Sequence, residues 1–574
     1  MRTLFKKGWG LFLENKLLFL VLVLAAALRL INLSDFPPAV NWDEVSHGYN
    51  AYSILKTGAD EWGQALPVVN FRAYGDYPLP LNLYMTIPSI LVFGLNEFAI
   101  RFPHAVLGVL TTVATYFLAM GLTKRRELAL LSSFLVAIEP WTLFTSRVVL
   151  QQNLSIFLLT ASAAAFFNRD KKKYLLPLSL AFLFLSLFSY HSTRIFSPLI
   201  LVATLVIYRG EFKNLIKRES FIPIVSISAL IAFFVLAGAI LLEPSARARA
   251  KWLFIINEGA IASIEEGRLS SSLPQPLPKL IYNRPTYLIY HFSRNYLEYL
   301  SPQFLFLSGG TQFQYSLPGK GLSYLINLPF FYLGIYILLK KSFKGDKDYL
   351  LLLAWLALSP IAGSITSEHF AVTRASVMLP LPQILAAIGL FFVYDLITKK
   401  GNPATKFIFF TLYCVGIFFL AKSYLTNYFT LYPEEYSWSW QYGYRQAVDY
   451  ARDNYQKYDK IIITKKYGEP HEFFLFFWPW DPAKYKADPN LIRFHQSDWY
   501  WVDRFDKFYF VNDWQITPGP NDDFTLESGG IVSCKAQETR CLLITSPGSY
   551  RANWNKLKTI NFLDGKPAFE ILEN

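Results

Sequence analysis

Residues 17–44 read LLFLVLVLAAALRLINLSDFPPAVNWDE. The stretch 17–34 is close to the length of about 20 mainly apolar residues that a membrane helix needs. It follows a basic start (Arg2, Lys6, Lys7, Lys16) and lacks a small-residue cleavage site, so it reads as a retained anchor rather than a signal peptide. Two adjacent acids, Asp43 and Glu44, stand a few residues beyond its end. Read outward from this start, the chain shows comparable runs at 102–122, 127–145, 149–167, 174–190, 194–208, 221–242, 322–340, 349–366, 375–397 and 406–424. Composition agrees: of 574 residues, 53% are hydrophobic and only 17% charged. A soluble protein carries nearer a quarter of charged residues. The expected fold class is therefore a multi-span α-helical membrane protein of about eleven transmembrane helices.

Orientation follows from Lys and Arg in short loops. Every second loop after the basic start is basic: Lys124 to Arg126; Arg169 with Lys171 to Lys173; Arg209, Lys213, Lys217 and Arg218; Lys340, Lys341, Lys344 and Lys347; Lys399, Lys400 and Lys406. The intervening short loops hold about one each, namely Arg147, Arg194 and Arg374. This alternation implies a multi-pass protein of the plasma membrane, with the N-terminus cytoplasmic and the C-terminus extracytoplasmic. The formal charge of +13 is then largely loop charge that sets topology, and no nucleic-acid partner is expected.

Residues 35–101, residues 243–321 and the tail from about 430 face outward in this reading. The tail mixes helical runs (YRQAVDYARDNYQKYDK) with short β-branched runs (IIIT, CLLIT) and turn signals. The expected division is 1–429, a transmembrane catalytic part that includes both outer loops, and 430–574, a small soluble extracytoplasmic α/β domain. Cysteine is scarce, with no metal-ligand spacing. Cys534 and Cys541 flank six mostly polar residues between IVS and LLITS, a pattern of two short strands joined by a turn. A disulfide across such a hairpin suits an extracytoplasmic tail.

The outer loop 35–101 opens NWDEVSHGYNAYSIL and continues through Trp62, Arg72 and Asp76 into DYPLPLNLYMTIPSILVFG, which reads as an amphipathic helix lying in the interface. The acids at 43 and 44 are equally suited to capping the helix that follows. Arg101, Pro103 and Gly108 then form R-x-P-x-x-x-x-G at the second span. Further along stand PWTLFTSR (140–147), YHSTRIFSP (190–198) and HFAVTRASVMLP (369–380). In this order, over roughly residues 15–400, the chain resembles the GT-C glycosyltransferases, specifically the relatives of protein O-mannosyltransferases and lipid A aminoarabinose transferases. Two positions depart from the family pattern: Tyr77-Pro78 stands where Lys-Pro is common, and Gln151-Gln152-Asn153 where an acid often follows the third-loop Arg.

The resemblance implies a membrane enzyme that takes a sugar from a polyprenyl-phosphate donor. The partners implied are that lipid-linked sugar, the membrane lipids, and an acceptor that is a glycan, a protein or a lipid. An acceptor hydroxyl is a poor nucleophile, so a positioned carboxylate has to take its proton. Asp43 is the chosen base, with Glu44 or Asp76 orienting the acceptor or holding a divalent cation. The leaving phosphate needs cationic stabilisation rather than a general acid, and the Arg fork suits it. Arg374, Arg194 and Arg147 are the candidates; the competing role for each is an interfacial anchor that snorkels to the headgroups. His191, His369 and Glu368 are candidate substrate contacts, with Glu368-His369 beside Arg374 the best placed for a metal. The rival reading, a transporter or lipid flippase, expects internal repeats and charge at mid-membrane depth. Neither is evident in this sequence.

Overall fold

The structure is a computed structural model that describes residues 16–75, 77–216, 221–242, 253–400, 403–496, 499–516, 522–535, 539–549 and 553–574. The chain forms two compact units. One comprises Met1–Ile31, Ala105–Ser146 and Leu150–Leu425; the other comprises Asn32–His104, Arg147–Val149 and Thr426–Asn574. The sequence division at 429/430 leaves the first outer loop in the membrane half, whereas here residues 32–104 share a core with the tail. Val45, Tyr49 and Ile54 of the helix Trp42–Thr57 enter the same apolar cluster as Phe473, Phe474 and Phe476. Gly48 is required at this packing, since a Cβ there would lie 2.7 Å from the Phe476 ring.

The first unit is helical, and the apolar runs read from sequence are helical in the structure. Glu97–Thr123 and Ala404–Trp440 are long and apolar enough to cross a membrane, and a third span results if the pair Val372–Met378 and Leu381–Ile397, bent by 53°, counts as one. Several others are shorter. The run 127–145 is broken into Arg126–Ile138 and Pro140–Thr145. Pro140 cannot extend a preceding helix, and the carboxylate of Glu139 at the break accepts from Ser323 Oγ (2.9 Å), Asn327 Nδ2 (2.5 Å) and Gln383 Nε2 (2.7 Å). Arg29, buried within the helix Lys16–Leu30, donates to the terminal carbonyls of Val136 (3.0 Å) and Ala137 (2.8 Å). Gly108 of the R-x-P-x-x-x-x-G motif leaves room for this arginine, because a Cβ there would meet Arg29 Nε at 2.4 Å. Elsewhere Gly334 and Gly389 let the helices Leu328–Phe343 and Leu381–Lys400 approach backbone to backbone. Small residues serve the same purpose in membrane helix packing generally.

The second unit carries a seven-stranded mixed sheet in the order β2-β3-β4-β1-β7-β9-β8. The strands are β1 (Lys460–Thr464), β2 (Ile492–Gln496), β3 (Trp499–Phe505), β4 (Phe508–Val511), β7 (Cys541–Thr545), β8 (Asn555–Asn561) and β9 (Pro567–Glu573). β5 (Asp523–Thr525) and β6 (Ile531–Ser533) form a separate pair. The runs IIIT and CLLIT become β1 and β7, which pair in parallel at the buried centre, with Ile462 opposite Leu543. Unbroken apolar runs are what such doubly covered strands require.

Cys534 and Cys541 are disulfide-bonded, with Cα atoms 5.9 Å apart. They do not flank a hairpin. Cys534 follows β6 of the small sheet, while Cys541 opens β7 of the large one. Asn574 completes the junction, donating to Cys534 O and Thr539 O and accepting from Cys541 N. Replacing both cysteines with Ser is expected to cost on the order of 2 kcal/mol, since the loop closed is short. Mass spectrometry of unreduced protein should find no alkylatable thiol in the tail, and two would contradict the pairing.

Candidate active site

Asn41 opens the helix Trp42–Thr57 through a capping box: its side chain accepts from Glu44 N at 2.9 Å, and Glu44 Oε2 accepts from Asn41 N at 3.4 Å. This places Asp43 and Glu44 in the first turn, where the helix dipole favours carboxylates. The two acids then diverge. Glu44 is wholly buried. Arg101 reaches it with Nε to Oε1 at 3.0 Å and Nη2 to Oε2 at 2.8 Å, and Oε1 also accepts from Val149 N at 3.0 Å. The same guanidinium donates to the carbonyls of Leu33 (3.2 Å), Pro37 (3.1 Å) and Ala39. Arg101 therefore folds residues 33–39 around itself, and the two oxygens of Glu44 are engaged inside the protein.

Asp43 is half-buried and accepts a short hydrogen bond from Tyr74 Oη. Burial and the Asp43 carboxylate push the Tyr74 hydroxyl well above the ordinary phenol range, so it stays a donor. The Trp499 ring, from β3, stacks on Tyr74 at 5.8 Å and 9°. Gly75 is needed here, because a Cβ would lie 2.8 Å from that indole. A side chain of the tail thus backs the residue that orients Asp43. Tyr77 lies with its hydroxyl 3.5 Å from that of Tyr500. Asp76 lies outside the described residues.

Arg147 is buried beside the same loop. Its Nε donates to Tyr428 Oη (3.1 Å) and its Nη2 to the carbonyls of Asn32 and Phe36 (3.2 Å each), and its plane sits over the Tyr428 and Phe429 rings. Such a side chain does not snorkel.

The remaining sequence candidates belong to the helical unit. Arg374 donates to Glu368 Oε2 at 2.9 Å through Nη2, while its buried Nη1 has no hydrogen-bond partner among the described residues. His369 faces Glu298 at 3.2 Å, and Glu298 also accepts from Arg294 at 2.8 Å. Arg194 is buried and donates to Leu187 O at 3.3 Å; His191 is half-buried against Tyr190. Among the described residues, no group of three or more His, Cys, Asp or Glu is arranged to hold a metal ion.

A second set of acids carries no local signal in the sequence. Glu61, Glu469, His471 and Glu472 are buried together, His471 lying 3.5 Å from Glu469 and 3.8 Å from Glu472. Burial raises Glu61 from its ordinary 4.5 to about 7 and Glu472 well above its usual value, and it lowers His471. A carboxyl raised on folding stabilises the native state fully below its unfolded pKa, and that contribution is lost as pH rises through the folded one. The lowered His471 acts oppositely, favouring the fold above its unfolded pKa. The difference in thermal midpoint between wild type and Glu61→Gln should therefore fall between about pH 4.5 and 7 and flatten beyond it. A pH-independent difference would contradict the burial of a protonated Glu61.

The family described as dolichyl-phosphate-mannose-protein mannosyltransferase matches residues 19–245. The resemblance to GT-C glycosyltransferases is thereby shown for the segment that holds the first loop and the motifs up to Pro198. The crystal structure of ArnT from Cupriavidus metallidurans, bound to undecaprenyl phosphate, superposes with a TM-score of 0.50 at 10% identity, covering 97% of this chain and 98% of that one. The two share a fold over nearly their whole lengths. The archaeal oligosaccharyltransferase AglB from Archaeoglobus fulgidus gives 0.48 at 15% identity, over 82% of this chain and 64% of its own. An uncharacterized protein of Aquifex aeolicus is 29% identical over 140 residues, 24% of this chain and 27% of that one. The chain thus spans less than two thirds of these last two relatives.

Proposed function

We propose that this protein is an integral membrane glycosyltransferase that moves a sugar from a polyprenyl-phosphate donor to an acceptor hydroxyl at the outer membrane face. The observation that carries the reading is the division of labour between the adjacent acids. Glu44 is locked to Arg101, which fixes the helix start, and Asp43 is left half-exposed with one oxygen held by Tyr74. A carboxylate held in this way is a general base in position. In this reading the Asp43 carboxylate takes the acceptor proton as the hydroxyl attacks the anomeric carbon, the bond to the donor phosphate breaks, and the phosphate leaves as a stable anion. A single displacement of this kind inverts the anomeric configuration. Glu44 is a positioning residue in this scheme.

Arg374 is the phosphate ligand in this account, its buried Nη1, without a hydrogen-bond partner among the described residues, being the donor that a leaving phosphate would satisfy. Arg194 assists it, whereas Arg147 holds the first loop in place. The undecaprenyl phosphate bound by ArnT, a protein of the same fold over nearly the whole chain, supports a lipid-phosphate donor. About eleven spans, with the C-terminal unit outside, complete the scheme. The test is donor use. Arg374→Ala should raise the donor KM or lower kcat/KM by roughly 10²-fold, and Arg374→Lys should recover part of it, since Lys lacks the bidentate fork. Unchanged donor kinetics in both variants would remove Arg374 from the site.

A further inference from the structure

The second unit contains a cleft of about 740 Å³ that the transfer scheme does not use. This lies within the range of about 300–1,000 Å³ typical of small-molecule sites. Its polar lining includes Asp35, Glu97, Glu434, Gln441 and Arg445, and its aromatic walls include Phe429, Tyr442 and Phe477. Gln441 is 92% buried, and its Oε1 has no hydrogen-bond partner among the described residues. An acceptor so placed costs stability unless something donates to it. Its backbone is held at φ 50°, left-handed for a residue with a side chain, between the short helix Ser437–Trp440 and Gly443 at φ 107°. Such conformations persist where the surroundings over-determine them, often at ligand sites.

Charge narrows the ligand. Arg445 is ion-paired with Glu97 and lies over the Phe477 ring at 4.9 Å, so a cation entering the cleft meets a guanidinium. An anion meets Asp35, Glu97 and Glu434. A neutral molecule rich in hydroxyls suits both: its O–H groups donate to the carboxylates and to Gln441 Oε1, its oxygens accept from Arg445, and its C–H faces pack on the aromatic rings. We propose that this cleft binds a neutral carbohydrate segment, a part of the acceptor glycan away from the reacting hydroxyl. Its assignment to the acceptor rests on the glycosyltransferase reading; the binding itself does not.

The test uses detergent-solubilised full-length protein and saturation-transfer NMR with mannotetraose, cellotetraose and chitotetraose. Tetragalacturonate and the glucosamine tetramer serve as the anionic and cationic controls. At least one neutral tetrasaccharide should bind saturably. Gln441→Gly, which removes the orphan acceptor and suits the positive φ, should weaken binding by about 5-fold or more, as should Glu434→Gln. Thermal melting confirms that both variants fold, and Asp43→Asn should leave binding unchanged. Failure of all three neutral probes, binding of the charged probes alone, or affinity unaffected by Gln441→Gly and Glu434→Gln would each overturn the proposal. Binding without glycosyl transfer would keep the cleft and remove its assignment to an acceptor.

Discussion

Asp43→Asn is expected to lower transfer from a polyprenyl-phosphate sugar by roughly 10²-fold or more, with the fold intact. The amide keeps the size of the side chain and still accepts from Tyr74, so the helix start and the packing beneath it are undisturbed. What is lost is the basic oxygen. The effect should fall on kcat rather than on donor KM, because the base acts in the transition state and not in donor binding. Near-normal turnover in this variant would reassign the base.

Arg101→Met should destabilise the protein by about 3–5 kcal/mol, the cost of leaving a buried charge without its partner. Both side chains of the Arg101–Glu44 pair are fully inaccessible, and removing the guanidinium also orphans the carbonyls of Leu33, Pro37 and Ala39. Unfolding followed by denaturant or heat should show the loss directly. The double variant Arg101→Met, Glu44→Leu should recover much of it, since no uncompensated charge then remains. Equal instability of single and double variants would mean that the carbonyl contacts, and not the ion pair, dominate.

Much of the helical part is legible in the sequence because lipid imposes a compositional rule, apolar runs of sufficient length with basic loops on one side. The rule is blind to breaks such as Glu139-Pro140, where a buried carboxylate is satisfied by side chains almost 200 and more residues away. In the tail, β1 and β7 stand out as unbroken apolar runs, but their parallel pairing depends on contacts across 81 residues that no local pattern encodes. The spacing of Cys534 and Cys541 points to a disulfide, yet the strands on either side belong to different sheets. For the candidate site, the acid pair is visible as a pair. Which member is buried is not, because Arg101 lies 57 residues beyond Glu44. Tyr74 and Trp499 give no local signal at all, since each matters only through the other and through Asp43.

The central claim is that a glycosyl bond is broken and remade, and one measurement addresses it most directly. Purified protein is reconstituted in liposomes with a polyprenyl-phosphate sugar labelled in the sugar, together with a cell-envelope extract as acceptor source. Both the covalent partner of the label and the leaflet that carries it are followed over time. The account predicts that label leaves the lipid and appears in the acceptor fraction, with stoichiometric release of polyprenyl phosphate, and that Asp43→Asn slows both by roughly 10²-fold or more. Label that stays bonded to its lipid while crossing from one leaflet to the other would contradict it and establish a lipid translocator instead.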